Sequence, residues 1–265
     1  MNWMLKTAVM VMTASVLAAC QGQDISNLNL DGEGIYGGQE VAANDPDLQS
    51  VVSVRAHIPE GQVNCTGVLI GNNTVLTAAH CLEPYPQGTF DIAFGRDAFK
   101  PNVYFPVKSK VIHDDYKRKD NIDLAVLRFT GKLPAGYKPA LLPTDKIHAT
   151  KFMTVIAAGY GQSRTVGSWS EPDHLGAGIL RKISQDITWV QDDQFEFHFN
   201  QRDRGGICHG DSGGPVLFKS SGQFYVLGIN KRVSPDVSHD DMCRGMSFVQ
   251  DVYLSLTWVK EQLNK

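Results

Sequence analysis

A chain of 265 residues, 42% of them hydrophobic, is long enough to bury a sizeable core in one or two domains. The formal net charge is −3 and the basic residues are dispersed, which argues against a nucleic-acid-binding protein. No apolar run reaches the ~18 residues of a membrane span. The cysteines number five, so one of them is expected to have a separate role.

Residues 1–19 have the pattern of an export signal. Lys6 gives a positive start, and the apolar stretch 7–17 is too short to cross a bilayer. The stretch ends in Leu-Ala-Ala before Cys20, which resembles the bacterial lipoprotein signal, where the cysteine is acylated and becomes the new N-terminus. The alternative is an ordinary cleavage site that happens to precede a cysteine. On either interpretation the protein leaves the cytoplasm, where disulfides are allowed.

Residues 20–34 are polar, lack a helical or strand period, and end near two glycines. This composition predicts a flexible tether or a propeptide. A lipidated Cys20 would hold that tether on a membrane surface, in the periplasm or at the cell surface. The tetrapeptide Ile-Tyr-Gly-Gly follows at 35–38, and by itself it is typical of a turn into a strand.

Short runs rich in β-branched and aromatic residues recur along the rest of the chain, and Gly, Pro and Asn separate them. This pattern predicts an all-β barrel or sandwich. In the first half the predicted strands are Val51–His57, Val63–Ile70, Thr89–Phe94, Val103–Ile112 and Ile122–Phe129. In the second half they are Phe152–Ala158, Ile179–Trp189, Phe195–Phe199, Pro215–Phe218, Phe224–Asn230 and Met246–Val249.

Two segments fall outside the strand pattern. Residues 131–150 carry three prolines and two glycines, which indicates a connection between two β halves. Near the end, Val252, Leu256, Val259 and Leu263 recur at spacings of 4, 3 and 4, which predicts a short amphipathic helix.

A histidine lies between small residues in the run LTAAHC, residues 76–81. A lone histidine is more often an ordinary hydrogen-bonded residue, but here the neighbours allow a close approach to His80. The adjacent Cys81 can bridge back to Cys65, and closing a loop of this size stabilises by about 3 kcal/mol. Such a bridge would also position the imidazole.

An acid heads an apolar strand in the run NIDLAVL, residues 121–127. If Asp123 is buried without a partner, it costs several kcal/mol. A histidine Nδ1–H would serve as its partner; the alternative is an exposed aspartate at a strand end.

A serine lies in a run of small residues, CHGDSGGPV, residues 208–216. Glycines on both sides leave room for a substrate and permit unusual φ values. A tight turn there can aim the N–H groups of Gly210 and Ser212 at one point, where they would stabilise a developing oxyanion. The alternative is a glycine-rich turn with an incidental serine.

Taken in order, His80, Asp123 and Ser212 in the motifs TAAHC, DLAVL and GDSGGPV resemble the chymotrypsin/trypsin family of serine endopeptidases, over residues 35–265. The run GYG at 159–161 is similar to the family's Gly-Trp-Gly turn. The resemblance implies two six-stranded antiparallel barrels, at about 35–140 and 141–250, and a C-terminal helix at about 251–264. The site would lie between the barrels.

The resemblance also implies roles for the remaining residues. His80 would be the base, Asp123 its orienting acid and Ser212 the nucleophile, with the oxyanion bound by the N–H groups of Gly210 and Ser212. The second pair of cysteines, Cys208 and Cys243, would form a disulfide. No cofactor or metal is implied, and the calcium loop of the family lacks its clustered acids here. The protein would be a monomer that binds protein or peptide substrates.

Activation is expected to follow the family's route. Cleavage between Gly34 and Ile35 would create an α-ammonium that pairs with Asp211 and orders the oxyanion hole, so the chain would be made as a zymogen. The usual Arg or Lys before the cut is missing, which points to another protease. The cut would release the catalytic unit from Cys20, because no cysteine is left to retain the propeptide.

Substrate specificity has two possible interpretations. Gly206, Ile207 and Gly245 match positions of the family's primary pocket. Because none of them is charged, the pocket is predicted to take an apolar side chain of the substrate. Asp240 and Asp241 could instead reach in to meet Lys or Arg.

A second departure from the family pattern lies in the strand that contains Lys231 and Arg232. They stand where the family usually has a serine that supports the triad aspartate and then an aromatic residue. The alternatives to an endopeptidase are a catalytically inactive binding protein on the same fold and a non-proteolytic esterase.

Overall fold

A computed structural model of the chain describes residues 35–42, 45–118, 121–163, 176–236 and 243–265. The predicted signal, Cys20 and the tether lie outside these residues, as do Asp240 and Asp241. Among the described residues, no helix is both long and apolar enough to cross a membrane.

The first half of the chain forms a closed barrel. A two-residue strand, β1 (Gln39–Glu40), precedes it. The barrel strands are β2 (Val51–Ile58), β3 (Gly61–Gly71), β4 (Thr74–Thr77), β5 (Thr89–Phe94), β6 (Val103–Ile112) and β7 (Ala125–Phe129). They close in the order β2-β3-β4-β7-β6-β5, and all neighbours are antiparallel.

The second half forms an eight-stranded sheet. Its further strands are β8 (Thr154–Gly159), β9 (Arg181–Asp186), β10 (Trp189–Gln191), β11 (Glu196–Asn200), β12 (Pro215–Ser220), β13 (Gln223–Val233) and β14 (Met246–Asp251). The order is β1-β9-β8-β12-β13-β14-β11-β10. The prediction of six strands is corrected to eight, because the short strands β1 and β10 extend the sheet at its two ends.

A helix ends the chain. A 3₁₀ turn at Tyr253–Ser255 leads into α1 (Leu256–Leu263). Val252 and Val259 are fully buried in the core cluster that also contains the apolar residues of the first barrel. The all-β fold with a short C-terminal helix is therefore confirmed. The helix begins at Leu256 and not near residue 251, so Val252 precedes it, and of the predicted apolar positions within the helix only Val259 is fully buried.

Candidate active site

His80 and Asp123 are joined by two hydrogen bonds. His80 lies in a 3₁₀ turn that directly follows β4, and Asp123 precedes β7, the strand paired with β4. The backbone N–H of His80 donates to Asp123 Oδ1 at 2.9 Å, and His80 Nδ1 lies 2.7 Å from Oδ2. The carboxylate is only 3% exposed, so the imidazole supplies the partner that a buried acid requires. With Nδ1 as the donor, Nε2 is left with a lone pair that can accept a proton.

Two disulfides hold the loops of the site. Cys65 in β3 is bonded to Cys81, the neighbour of His80, and Cys208 is bonded to Cys243. Both predicted pairs are confirmed. The sulfur atoms of the first pair lie near the His80 ring, but they are bonded to each other and are not thiolate ligands for a metal.

The turn before Ser212 depends on glycine. Gly210 has a φ of 93°, and a Cβ there would lie 2.9 Å from the Cα of Gly161. Within the described residues, the backbone N–H groups of Gly210 and Ser212 donate to no acceptor. The turn therefore offers two neighbouring donors to an incoming oxygen.

All three residues of the predicted triad line one cavity of about 570 Å³, here called the central cleft. Its lining includes His80, Asp123 and Ser212. The described hydrogen bonds include none between His80 Nε2 and Ser212 Oγ. Catalytic hydrogen bonds are often long before substrate binds and tighten in the complex.

Asp211 is fully buried beside the GYG turn. Its Oδ1 accepts from the Gly161 N–H at 2.8 Å and its Oδ2 from the Cys208 N–H at 2.8 Å. A Cβ on Gly159 would overlap Oδ1, and one on Gly161 would lie 2.6 Å from Cγ, so both positions require glycine. Burial raises the pKa of Asp211 to about 7, although these two hydrogen bonds and the charge of Arg181 oppose the shift.

Ile35, the residue predicted to activate the site, is also fully buried and packs in the core of the second sheet. Its neighbour Tyr36 bridges to Gly206, whose N–H donates to the Tyr36 carbonyl at 2.8 Å. In the continuous chain the nitrogen of Ile35 is part of a peptide bond and carries no charge.

Lys231 forms a buried ion pair close to the loop that carries Asp123. Its Nζ lies 2.7 Å from Glu196 Oε1 and donates to the Asn121 carbonyl at 3.1 Å, two residues before Asp123. The Asp123 N–H donates to Gln250 Oε1 at 2.8 Å. The Lys231 ammonium and the Gln250 amide therefore hold the loop that carries Asp123. Lys231 stands at the position where the family pattern has a serine.

Of the three predicted pocket residues, Ile207 lines the central cleft. Gly206 packs against Gln201, whose side chain would overlap an added Cβ, and Gly245 packs against Ser234 in the same way. The buried amide of Gln201 bonds to both backbone groups of Ile207, at 3.1 Å through Oε1 and 2.8 Å through Nε2. Its Oε1 also accepts from Ser247, and its Nε2 also donates to the Cys243 carbonyl.

None of the sequence motifs includes Glu196, Gln201 or Gln250. A signal for Glu196 exists in the strand EFHFN, where polar residues alternate with phenylalanines and so share one face. A polar face opposite two consecutive cations, Lys231 and Arg232, indicates an ion pair. For Gln201 and Gln250 no such signal is present, because an isolated glutamine in a loop or strand is typical of a surface residue.

Comparisons with known proteins agree with this geometry. The family model described as Trypsin matches residues 35–259. Among curated proteins, Transmembrane protease serine 11G of Rattus norvegicus is 26% identical over 211 residues, which cover 74% of this chain and 48% of that protein. The chain therefore spans just under half the length of that relative. Granzyme B(G,H) of Mus musculus is 26% identical over 70% of this chain and 77% of its own length.

A solved structure entitled HL collagenase has the same fold. It superposes with a TM-score of 0.70 at 17% identity, covering 87% of this chain and 99% of the other. At this identity the likeness supports the fold alone.

Proposed function

The chain belongs to the trypsin family of serine proteases, and we propose that it is an exported endopeptidase with His80, Asp123 and Ser212 as its catalytic residues. The observation that carries the proposal is the pair of hydrogen bonds from His80 to the buried Asp123 carboxylate, in a cleft that Ser212 also lines. This arrangement presents an oriented base on the same surface as the nucleophile.

In the proposed mechanism, His80 Nε2 takes the proton of Ser212 Oγ as the oxygen attacks the peptide carbonyl. The N–H groups of Gly210 and Ser212 then donate to the oxyanion; losing one such donor typically costs ~3 kcal/mol of transition-state stabilisation. His80 returns its proton to the leaving amine, which leaves an acyl group on Ser212. Water, deprotonated by His80, attacks that acyl group and releases the second product. Asp123 holds the imidazole in the required tautomer and stabilises the imidazolium.

Activation by cleavage before Ile35 is part of the proposal. Ile35 is buried in the core of the second sheet and Asp211 is fully buried as well. The Asp211 carboxylate receives hydrogen bonds only from backbone N–H groups among the described residues. A new ammonium group on Ile35 would supply a full positive charge to that acid. N-terminal sequencing of active material is expected to begin at Ile35, and full activity in uncleaved protein would contradict this step.

We further propose residues 1–19 as a signal peptide, Cys20 as a lipidated anchor and 20–34 as the tether before a peptidase domain that begins at residue 35. The support is the apolar stretch that ends in Leu-Ala-Ala-Cys. Mass spectrometry of the N-terminal peptide tests the anchor: an acylated Cys20 supports it, and an unmodified cysteine contradicts it.

A fluorophosphonate probe tests the catalytic assignment, because it reacts only with a serine that a nearby base activates. The processed protein is expected to be labelled at Ser212, and Ser212→Ala to lose both labelling and peptide hydrolysis. Ser109→Ala, at an exposed position of β6, is the matched control and should keep both. Labelling that survives in Ser212→Ala would reject the assignment.

The second candidate is an inactive binding protein on the same fold, favoured by Lys231 in place of the family's supporting serine. The same probe separates the two, since a binding protein would remain unlabelled after cleavage before Ile35. A labelled protein that hydrolyses ester but not peptide substrates would support a non-proteolytic esterase.

A further inference from the structure

The described residues that line the central cleft carry more positive than negative charge. Three cations line it, Lys117, Lys231 and Arg232, and Asp123 is the one acid among the described lining residues. Asp123 is bonded to His80 and 3% exposed, so it offers little charge to a substrate. The described part of the lining therefore has an excess of positive charge.

The carboxylate of Glu196 forms ion pairs with both cations on β13, Lys231 and Arg232. Glu196 Oε1 lies 2.7 Å from Lys231 Nζ, and Oε2 lies 3.2 Å from Arg232 Nη2. Glu196 is itself buried, and although burial opposes ionisation, the nearby side chains of His198, Lys231 and Arg232 lower its pKa to about 2. One negative charge against two positive charges leaves a net charge of +1 at this wall of the cleft.

Arg232 is the group that presents this charge to solvent. Lys231 is 9% exposed, and its ammonium is committed to Glu196 and the Asn121 carbonyl. The Arg232 side chain is 49% exposed, and its guanidinium lies 3.4 Å from the ring centroid of Phe248. The stacked ring and a single described hydrogen bond fix the plane of the guanidinium and leave most of its five N–H donors open.

Lys117 adds a second cation to the lining. Its side chain is 61% exposed and pairs with Glu83, itself 38% exposed, at 2.7 Å. An ion pair in that position is weak and exchanges readily with other partners. A carboxylate in the cleft would therefore meet the oriented guanidinium of Arg232 and an ammonium group, that of Lys117, which can change its partner. The planar guanidinium matches a carboxylate in two-point geometry.

We propose that the central cleft selects substrates with an aspartate or glutamate close to the scissile bond, and that Arg232 is the specificity-determining residue. The inference rests on the proposed endopeptidase activity. It departs from the apolar or basic preference that the sequence predicted from Gly206, Gly245, Asp240 and Asp241.

The proposal is tested with enzyme that has been activated by cleavage before Ile35, by measuring how fast it hydrolyses the members of a peptide library. The peptides place Asp, Asn or Lys at each of the four positions before and the two after the scissile bond. At one of these positions we expect kcat/KM for Asp to exceed that for Asn by about tenfold, the factor that one charge-assisted hydrogen bond contributes. Peptides with Lys at that position should have a lower kcat/KM than those with Asn. Raising the salt concentration should reduce the preference for Asp over Asn.

Variants assign the effect to Arg232. Arg232→Gln is expected to cleave the Asp and Asn peptides equally, whereas Arg232→Lys should keep part of the preference. Lys260→Gln removes one positive charge at an exposed position of α1 and should keep all of it. Fluorophosphonate labelling of each variant shows whether the site still folds.

Three results would overturn the inference. Equal cleavage of all peptides by a labelled protein removes the acid preference alone and leaves the endopeptidase proposal intact. A preference for Lys does the same and favours the interpretation based on Asp240 and Asp241. Absence of both labelling and hydrolysis rejects the proposed function and the inference with it.

Discussion

Thr66 fastens the turn of Ser212 to the first barrel. Its backbone N–H donates to the Ser212 carbonyl at 2.8 Å, and its hydroxyl donates to the Gly210 carbonyl at 3.0 Å. The same hydroxyl accepts from the Tyr160 N–H at 3.0 Å. One buried residue of β3 thus fixes the carbonyl groups on both sides of Asp211, which in turn orients the two N–H groups proposed for the oxyanion.

Replacing that hydroxyl should impair catalysis as well as stability. Thr66→Val keeps the shape of the side chain but leaves the Tyr160 N–H and the Gly210 carbonyl without their partner, at a cost of about 1–3 kcal/mol. We expect a lower urea midpoint and a fall in kcat that exceeds the change in KM, because the donors of the turn act mainly in the transition state. Thr66→Ser keeps the hydroxyl and should retain most of the activity; equal kcat for all three proteins would contradict the role.

The disulfide beside His80 is expected to support both stability and activity. Cys65 and Cys81 are 16 residues apart, and a loop of that length gains about 3 kcal/mol from closure. The double variant with alanine at both positions should lose roughly that much free energy of unfolding in urea and show reduced kcat, since the turn that carries His80 loses its link to β3. Unchanged kcat together with lower stability would confine the disulfide to a structural role.

Much of the fold could be predicted because local sequence and tertiary structure agree. The runs Thr89–Phe94 and Val103–Ile112 were predicted as strands and form β5 and β6 with the same bounds. The predicted strand Ile122–Phe129 begins only at Ala125, because Asp123 turns its carboxylate and N–H toward His80 and Gln250. The predicted strand Ile179–Trp189 divides into β9 and β10, each with a different partner strand.

The site was predictable where it depends on motifs and hidden where it depends on distant contacts. The motifs around His80, Asp123 and Ser212 identified the residues that line the central cleft. The contact of Lys231 with Glu196 joins residues 35 positions apart, and the hydrogen bond between Asp123 and Gln250 joins residues 127 positions apart. Such pairs follow from strand register, which a single sequence does not reveal.

Glu196 should stabilise the protein above pH 4.5 and lose this effect in acid. Its pKa is lowered from 4.5 to about 2 in the folded state, so its contribution is present above pH 4.5 and declines as the pH falls toward 2. The shift corresponds to roughly 3 kcal/mol. Glu196→Gln leaves Lys231 buried without its carboxylate, which costs about 3–5 kcal/mol at neutral pH. Urea denaturation from pH 7 to 2 measures both effects.

The matched control for this series is Glu261→Gln, at an exposed position of α1. It should follow the wild-type pH profile, whereas the deficit of Glu196→Gln should shrink as the wild-type carboxyl becomes protonated. A deficit that stays constant down to pH 2 would contradict the assignment of the acid-dependent stability to Glu196.

Asp211 should make the uncleaved protein less stable as the pH rises from about 4 to about 7. Burial raises its pKa from 3.8 to about 7, so the folded state holds a proton that the unfolded state has already lost. The stabilising contribution of Asp211 is fully present below pH 3.8 and declines as the pH rises to about 7, where the folded carboxyl ionises. Burial also raises the pKa of Asp251 to about 6, so Asp251→Asn is needed to remove that share of the slope.

Cleavage before Ile35 is expected to abolish the Asp211 part of this slope. The new ammonium group would favour the ionised carboxylate and return its pKa below the range of the measurement. The test uses the double variant Ser212→Ala, Asp251→Asn, which cannot digest itself if Ser212 is the nucleophile. Urea denaturation at a series of pH values compares its uncleaved form with its cleaved form. We expect the uncleaved form to lose stability between pH 4 and 7 and the cleaved form to gain or keep it. Parallel profiles for the two forms would show that no ammonium group reaches Asp211, and the proposed activation would have to be abandoned.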